Sequence, residues 1–296
     1  MINYTFREAN IILDNKKYLN ENLKKIKVGA FIPARNEEKF LPQTLESLTS
    51  QDLKPEKIIL INDGSTDKTK EIALQYGCDV IDLEDDNLEG QGGPKMTKLH
   101  QLALSQFEDN YDYILQLDAD HIIPNNYISY LVSEMEANQK IVIGGCLIDG
   151  TRSKEPMGTG RLVRFDFHKQ IGINRKVKHG LDTYPLLKAK QLGYEYKIFE
   201  IDTKMPRKQA ATYNKENYIA IGKTCKSLGY HPKSAVFLFL KRAIEHKKIR
   251  IFFWQLIGFL SQDVELYDED FRKFVRKMQN DLFNKKIKKI LFHSNE

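Results

Sequence analysis

Two carboxylates separated by a single residue form the strongest candidate for chemistry in the sequence. They are Asp118 and Asp120, which flank Ala119 and follow the largely apolar run 113–117. In an extended segment, residues i and i+2 point to the same side, so both carboxylates would face one point. Hard cations such as Mg²⁺ or Mn²⁺ prefer such oxygen ligands, commonly together with substrate phosphates. The pair therefore predicts a divalent-metal site that holds a phosphate, although a turn or a helix cap can produce the same pattern.

Two other polar clusters follow apolar runs in the same way. Residues 33–37 follow the run 28–32, and residues 62–65 follow the run 58–61. Such runs alternate with helical patterns, which favours an α/β fold with a doubly wound, mostly parallel sheet. In these sheets ligands bind beyond the carboxyl ends of the strands. We therefore expect all three polar clusters to contribute to one site.

Hydrophobic periodicity predicts the elements that position these clusters. Compact apolar runs predict strands at 28–32, 58–61, 79–82, 113–117 and 141–145. Helical spacing predicts helices at 37–50, 95–107, 124–137, 181–192, 213–229, 233–247, 250–260 and 269–292. Residues 151–179 are rich in glycine and arginine and carry no regular pattern.

Three motifs in order make the sequence resemble glycosyltransferase family 2, whose members are inverting enzymes with the GT-A fold. They are Ile32-Pro33-Ala34-Arg35-Asn36-Glu37, Asp63-Gly64-Ser65-Thr66-Asp67 and Asp118-Ala119-Asp120. The resemblance covers about residues 27–200. It implies a GT-A-like, Rossmann-like catalytic domain over residues 1–205 and leaves a helical, basic C-terminal region at 206–296. It also implies inverting transfer of a hexosyl-type unit from a UDP- or GDP-sugar, with Mg²⁺ or Mn²⁺ as cofactor.

The same resemblance assigns nucleoside contacts to the first two motifs. Pro33, Arg35 and Glu37 match donor-binding positions, and Glu37 is suited to accept hydrogen bonds from ribose hydroxyls. Asp63 matches the position that reads the base, where a carboxylate can accept an imino N–H. Glu37 could instead be an acid favoured by a helix dipole. Asp63 could instead form an Asx-type turn before Gly64.

The diphosphate and the metal are assigned to the remaining motif residues. Lys95 matches a basic position of the family and could contact the diphosphate as a point charge, and a solvated lysine at a helix start is the alternative. Asp118 and Ala119 are expected to line the donor site, and Asp118 with Asp120 to bind the metal. The residues three and five positions after Lys95 depart from the family's usual Ala and Asn, which weakens the alignment there.

Inverting transfer needs a general base on the acceptor face, opposite the leaving nucleotide, and a carboxylate is the usual choice. The family's base position matches Asp182, before a helix that ends at Gly193 and Tyr194. An ordinary N-cap aspartate is the alternative, and Leu181 stands where the family commonly has an acid. No histidine occurs between residues 183 and 230. The metal would therefore rest on the two aspartates and the donor phosphates.

The positive charge is concentrated near the C-terminal end of the sequence. The net charge is +6, and residues 241–296 hold 13 Lys/Arg against 8 Asp/Glu, which accounts for +5. Segment 247–260 joins basic residues to an aromatic-rich stretch that is too short to span a bilayer. Such a helix can lie in the membrane interface, and the basic helix 269–292 would add electrostatic attraction. This pattern suggests a lipid-linked acceptor, such as a polyprenyl-phosphate-linked glycan, and we expect no nucleic-acid partner. Packing of the apolar stretch as core and a solvated, lysine-rich helix face are the alternatives.

Cysteine spacing and the first residues bear on the compartment. Cys78, Cys146 and Cys225 lie far apart with no CxxC spacing, which argues against a disulfide framework or a zinc site and fits a reducing compartment. Residues 1–20 lack the apolar core of a signal peptide. We expect a cytoplasmic protein whose C-terminal region makes peripheral contact with the inner membrane face.

Three other functions compete with sugar transfer. A nucleotidyltransferase of similar fold would need a glycine-rich loop after the first strand, and residues 33–37 contain no glycine. A haloacid-dehalogenase-like phosphatase would carry its D-x-D on an early strand, not after three strands. A non-catalytic, membrane-associated nucleotide-sugar-binding protein would not need the intact Asp118, Asp120 and Asp182.

Overall fold

The computed structural model describes residues 25–83, 94–148, 155–172, 179–206 and 214–292. The described residues form two compact units. The first comprises residues 25–83, 99–148, 155–172 and 193–206. The second comprises residues 94–98, 179–192 and 214–292, so it combines the C-terminal helices with two earlier stretches of chain.

The first unit is built on a seven-stranded sheet with the order β3-β2-β1-β4-β6-β5-β7. The strands are β1 (Val28–Ala34), β2 (Lys57–Asp63), β3 (Asp79–Leu83), β4 (Tyr113–Gln116), β5 (Ile141–Ile148), β6 (Arg161–Arg164) and β7 (Glu195–Thr203). Only β6 runs antiparallel to its neighbours, β4 and β5. The predicted doubly wound, mostly parallel sheet is therefore confirmed.

Two strands escaped the sequence pattern. β6 has four residues and offers only Leu162 and Val163 as an apolar run between two arginines. β7 lies at the sheet edge, and exposed and partly buried residues alternate along much of its length. Its Glu and Lys residues are depleted in strands generally. Short length in one strand and edge exposure in the other removed the signal that identified the buried strands.

The described residues contain ten helices. They are α1 (Leu41–Thr49), α2 (Thr69–Gln75), α3 (Pro94–Leu104), α4 (Tyr127–Ala137), α5 (Phe165–Gln170), α6 (Thr183–Gln191), α7 (Lys215–Ser227), α8 (Pro232–Glu245), α9 (Arg250–Leu260) and α10 (Glu269–Phe292). The helix predicted from residue 37 begins at Leu41. The carbonyl of Glu37 first closes a turn with the amides of Phe40 and Leu41, and Pro42 then occupies a favoured first-turn position.

Helix α1 covers the central strands of the first unit. Leu41, Leu45 and Leu48 recur at helical spacing, and all three are fully buried. They belong to one core cluster with the buried side chains of β1, β2 and β4. Burial of such a leucine stabilises the fold by roughly 1.5–3 kcal/mol. The helix therefore holds the strands whose carboxyl ends carry the polar clusters.

Helices α7 and α9 of the second unit cross at two glycines. A methyl group at Gly222 would overlap the carbonyl oxygen of Gln255, and one at Gly258 would overlap that of Ile219. The backbones therefore approach more closely than any side chain would allow. Beside the crossing, Tyr218 stacks on Trp254 with ring centroids 5.9 Å apart.

All three cysteines are buried and free. Burial raises the pKa of the Cys78 and Cys225 thiols to about 12, so both stay protonated at neutral pH. Protonated, buried thiols are poor metal ligands and poor nucleophiles. Cys78, Cys146 and Cys225 are thus three separate buried thiols.

Gly258→Ala is expected to lower the free energy of unfolding by about 1–3 kcal/mol, because the new methyl group meets backbone that cannot move aside. This loss outweighs the gain in helix propensity of about 1 kcal/mol. Urea titration monitored by fluorescence reports on this unit, since Trp254 is the single tryptophan. Ala220→Ser, on the exposed side of α7, is the control. Wild-type stability of Gly258→Ala would show that the helices do not cross this closely.

Candidate functional site

The parallel sheet brings the three polar clusters to one edge. β1 pairs in parallel with β2 on one side and with β4 on the other, so the carboxyl ends of all three strands point the same way. An ion pair joins the first two clusters, with 3.9 Å between Nη1 of Arg35 and Oδ2 of Asp63. The backbone amide of Leu117 donates to the carbonyl of Phe31 (3.1 Å), which ties the third cluster to β1. This is the arrangement expected from the sequence.

Hydrogen bonds join the loops that follow β1 and β2. The Asn36 amide donates to Ser65 Oγ (3.0 Å), and the Thr66 amide donates to Asn36 Oδ1 (2.8 Å). The Glu37 amide donates to Thr69 Oγ1 (2.7 Å). Asn36 adopts a left-handed conformation with φ of 52°, which asparagine tolerates better than most residues. Each loop therefore fixes the other.

Asp67 stabilises these two loops through hydrogen bonds. Its carboxylate accepts hydrogen bonds from the amides of Glu38 (3.1 Å) and Thr69 (3.0 Å) and from the Thr69 hydroxyl (2.5 Å). Burial by itself would raise the pKa of Asp67, but these hydrogen bonds outweigh it and lower the pKa below its usual range. The last aspartate of the second motif therefore holds the backbone in place.

The four predicted nucleoside contacts lie around the joined loops. The pairing of β1 with β4 ends at Phe31, two residues before Pro33. Proline has no backbone N–H, but at this position none is needed for hydrogen bonds to β4. Glu37 precedes the N-cap of α1, and the first turn of that helix contains no acid. The backbone carbonyl of Glu37 closes the turn that leads into this helix. Arg35 is exposed and its partner Asp63 is buried.

The Asp118-Ala119-Asp120 segment is held through its backbone. The amide of Asp118 donates to Thr159 Oγ1 (2.8 Å), and the carbonyl of Ala119 accepts from Thr44 Oγ1 (2.9 Å). A turn follows, in which the His121 amide donates to the Asp118 carbonyl (3.2 Å). Asp118 is partly exposed, and Asp120 is buried. These contacts fix the backbone of the segment.

His121, directly after this segment, is a residue whose role sequence reasoning missed. Its ring is fully buried between two threonine hydroxyls, with Nδ1 2.8 Å from Thr159 Oγ1 and Nε2 2.6 Å from Thr203 Oγ1. Burial lowers the pKa of His121 to about 4, so the ring is neutral at neutral pH. Either tautomer gives both ring nitrogens a partner. The histidine therefore braces the aspartate segment, and its ring nitrogens are already engaged.

The two aspartates suit a metal ion whose remaining coordination positions are filled by a bound substrate. Among the residues that the structure describes, no group of three or more His, Cys, Asp or Glu side chains could hold a metal ion. Two carboxylates nevertheless suit Mg²⁺, which usually takes one or two from protein and fills its other positions with phosphate oxygens and water. The donor chemistry of Asp118 and Asp120 thus agrees with a cation that binds together with a phosphorylated ligand.

Arg161, opposite the end of β4, and Arg164, opposite its beginning, are both used by the fold. Arg161 is buried and donates to the carbonyls of Pro156 (2.7 Å) and Met157 (3.0 Å). Arg164 pairs with Glu136, with 2.9 Å between Nη1 and Oε1. Both side chains organise the chain around β6.

Lys95 and Asp182 belong to the second unit. Lys95 is the second residue of α3 and is partly buried. Asp182 is exposed and occupies the N-cap position of α6, but its side chain accepts no capping hydrogen bond. The N-cap alternative for Asp182 therefore lacks the interaction that would justify it. Helix α6 itself is anchored by Tyr184, which stacks on Tyr267 with ring centroids 4.3 Å apart.

The family model for Glycosyl transferase family 2 matches residues 30–191. Over 70 residues the chain is 46% identical to 4,4'-diaponeurosporenoate glycosyltransferase of Staphylococcus aureus (strain bovine RF122 / ET3-1). This alignment covers 24% of the chain and 18% of the relative.

Solved structures resemble the whole architecture at lower sequence identity. S. aureus TarS 1-349 in complex with UDP-GlcNAc has a TM-score of 0.57 and 15% identity, over 87% of this chain and 84% of that one. The mannosyltransferase PcManGT from Pyrobaculum calidifontis, in complex with GDP-Man and Mn²⁺, has a TM-score of 0.51 and 14% identity, over 84% of this chain and 77% of that one. At this identity the similarity establishes the fold alone, and it confirms the GT-A-like expectation.

His121→Phe is expected to lower the free energy of unfolding by about 1–3 kcal/mol. It removes one hydrogen bond from each of the buried hydroxyls of Thr159 and Thr203, at about 0.5–1.5 kcal/mol per bond. Urea titration followed by far-ultraviolet circular dichroism measures the loss. His246→Phe replaces an exposed histidine and should change little. Equal stability of the two variants would contradict the bracing role.

Proposed function

The chain belongs to glycosyl transferase family 2, and from this membership we propose that it transfers a hexosyl-type unit, with inversion, from a UDP- or GDP-sugar to an acceptor. The observation that carries the proposal is the meeting of three polar clusters at the carboxyl ends of β2, β1 and β4. The cluster after β4 offers the carboxylates of Asp118 and Asp120 on a hydrogen-bonded backbone. The other two clusters lie in the loops after β1 and β2, which are hydrogen-bonded to each other. Such an edge suits a ligand with a nucleoside at one end and phosphates at the other.

The donor would lie along this edge. Asp63 would accept an imino N–H of the base, with Arg35 beside it, and Glu37 would accept hydrogen bonds from ribose hydroxyls. Pro33 would line the nucleoside pocket, and Lys95 would contact the diphosphate. TarS with UDP-GlcNAc and PcManGT with GDP-Man show that neighbours of this fold bind such donors. Their two different bases leave both UDP- and GDP-sugars as candidates here.

Asp118 and Asp120 would hold Mg²⁺ or Mn²⁺, with Ala119 close to the donor. A metal bound there supplies charge that offsets the negative charge developing on the diphosphate leaving group. Mn²⁺ accompanies GDP-Man in the PcManGT structure. The hydrogen bonds from Thr44, Thr159 and His121 keep the segment from rearranging when the ligand arrives.

Asp182 is the proposed general base. As the acceptor hydroxyl oxygen bonds to the anomeric carbon, the bond from that carbon to the diphosphate oxygen breaks, and the hydroxyl proton passes to the Asp182 carboxylate. Attack on the face opposite the leaving group inverts the configuration, through a transition state with oxocarbenium character. The exposed position of Asp182 at the start of α6 supports this assignment.

We propose a glycan acceptor, carried on a lipid such as a polyprenyl phosphate, which the protein reaches by peripheral contact of its C-terminal region with the inner membrane face. The excess of +5 in residues 241–296 supports attraction to phosphorylated lipid. The apolar helix α9 supplies a surface that can enter the interface.

Asp120→Ala is expected to abolish the metal-dependent part of donor binding. Thermal shifts are measured with UDP, GDP and their sugars, with and without Mn²⁺, since a ligand that binds only the folded state raises the melting temperature. The wild type should respond to one nucleotide series, more strongly with Mn²⁺. Asp109→Ala, at a highly exposed position, should behave like the wild type. An undiminished Mn²⁺-dependent shift in Asp120→Ala would remove the metal assignment, and no shift for any nucleotide would remove the donor proposal.

Asp182→Asn is expected to keep the nucleotide shift and to lose turnover by about 10²–10⁴, the usual effect of losing a general base. Turnover is read as metal-dependent release of the nucleoside diphosphate in the presence of acceptor. Asp270→Asn, at an exposed position of α10, is the matched control. Native turnover in Asp182→Asn would place the base elsewhere.

A further inference from the structure

Helix α9 exposes apolar side chains on its outward side. Ile251, Gln255 and Gly258 are buried. On the other side Phe253, Ile257 and Leu260 are 55%, 54% and 65% exposed. A helix at a protein surface ordinarily turns charged residues outward, yet residues 251–260 contain no charged residue. The exposed side of α9 therefore has the composition of a surface that contacts an apolar partner.

Helix α8 adds a second apolar stripe. Ala235, Phe239 and Ala243 are buried, while Val236, Leu240 and Ile244 recur at the same spacing and are exposed. The two helices pack together, with Phe239 edge-on to Phe259 at 6.0 Å. We define the apolar face as the exposed apolar residues of these two helices and their connection: Val236, Phe237, Leu240, Ile244, Ile249, Phe253, Ile257 and Leu260.

This concentration is unlike the rest of the described surface. Twelve large apolar side chains are exposed among the described residues, and eight of them belong to the apolar face. Leu74 is the single example among the described residues of the first unit. Scattered apolar residues need no explanation, but a cluster on adjacent helices marks a binding surface.

Positive charge accompanies the apolar face. Residues 231–260 contain six Lys or Arg and one Glu. Lys247, Lys248 and Arg250 are exposed where the chain passes from α8 to α9. The Arg250 guanidinium lies 5.3 Å from the centre of the Trp254 ring. Tryptophan beside exposed cations is a typical combination at a membrane–water interface.

The positive charge beside the apolar face indicates which kind of partner could cover it. In a symmetric dimer the same patch would meet itself, and both copies would bring the same excess of positive charge to the interface. A surface with an apolar interior and anionic groups outside satisfies both features at once. We propose that the apolar face docks into the headgroup and upper acyl region of an anionic bilayer, with the cations of residues 247–250 against lipid phosphates.

The dimensions agree with a helix that lies in the interface. Eleven residues of α9 measure roughly 16 Å, about half the thickness of the hydrocarbon core. Within the described parts of the chain, none of the helices has the length and apolar character that crossing a bilayer would require.

Some of the acidic residues that follow α9 pair with nearby cations. Asp263 pairs with Lys223 (2.8 Å). Glu269 pairs with Arg272 (2.9 Å) and Arg276 (3.1 Å). The acids therefore oppose an anionic surface less than their number suggests.

Co-sedimentation with vesicles tests the docking. The full chain is mixed with vesicles of equimolar phosphatidylglycerol and phosphatidylcholine, or of phosphatidylcholine alone. Wild-type protein should sediment with the anionic vesicles, and added salt should weaken the binding. Phe253→Gln/Ile257→Gln should lower partitioning by at least about tenfold, because two apolar side chains no longer enter the interface. Lys247→Asn/Lys248→Gln should lower it by about fivefold per cation removed.

Leu74→Gln is the matched control, because it makes the same kind of change at the exposed leucine of α2; it should sediment like the wild type. The proposal is overturned if the wild type stays in solution with anionic vesicles, or if Phe253→Gln/Ile257→Gln binds as well as the wild type. It is also overturned if sedimentation velocity shows that the wild type is a dimer and that Phe253→Gln/Ile257→Gln is a monomer, since the apolar face would then join two copies.

This inference specifies the membrane contact proposed above, yet it does not depend on sugar transfer. The nucleotide thermal shifts, measured on the same preparations, separate the two proposals. Lost vesicle binding with a preserved nucleotide shift would remove the docking surface alone. Vesicle binding without any nucleotide shift would remove the donor proposal alone.

Discussion

The pairing of β1 with β2 on one side and β4 on the other is the constraint on which the candidate site depends. Parallel strands end at the same edge, so chemistry that is distributed over 90 residues of sequence arrives in one place through backbone hydrogen bonds alone. The side chains at this edge need not find one another. They need only follow the right strand, which explains why short motifs that come directly after apolar runs are enough to indicate a shared site.

Strand pairing delivers the clusters, but it does not hold their loops. That task falls to side chains used as backbone partners: Thr44 and Thr159 for the aspartate segment, Thr69 and Asp67 for the joined loops. A buried polar group that lacks a partner is costly, so a fully satisfied network permits few alternative arrangements. His121 completes this network with a neutral ring between two hydroxyls. The carboxylates of Asp118 and Asp120 are thereby presented on a segment that is already ordered.

The sequence predicted whatever is local and strongly patterned. The continuous apolar runs of β1, β2 and β4 identified buried strands, and Pro33, Asp63 and Asp118 could be placed at strand ends. The start of α1 was misplaced because residues 37–40 have helical composition but form a turn. β6 and β7 were missed because one is very short and the other lies at the sheet edge. The bracing of His121 was beyond reach, since its threonine partners lie 38 and 82 residues away in the sequence.

Helix α9 shows how folding and binding can be separated within eleven residues. Its inner side serves folding, through a crossing so close that only glycine fits at positions 222 and 258. Its outer side contributes little to folding, because Phe253, Ile257 and Leu260 remain more than half exposed. Polar residues there would cost stability nothing and would improve solubility. Apolar residues at such positions are consistent with selection for contact with something outside the chain, and the cations beside them favour an anionic surface.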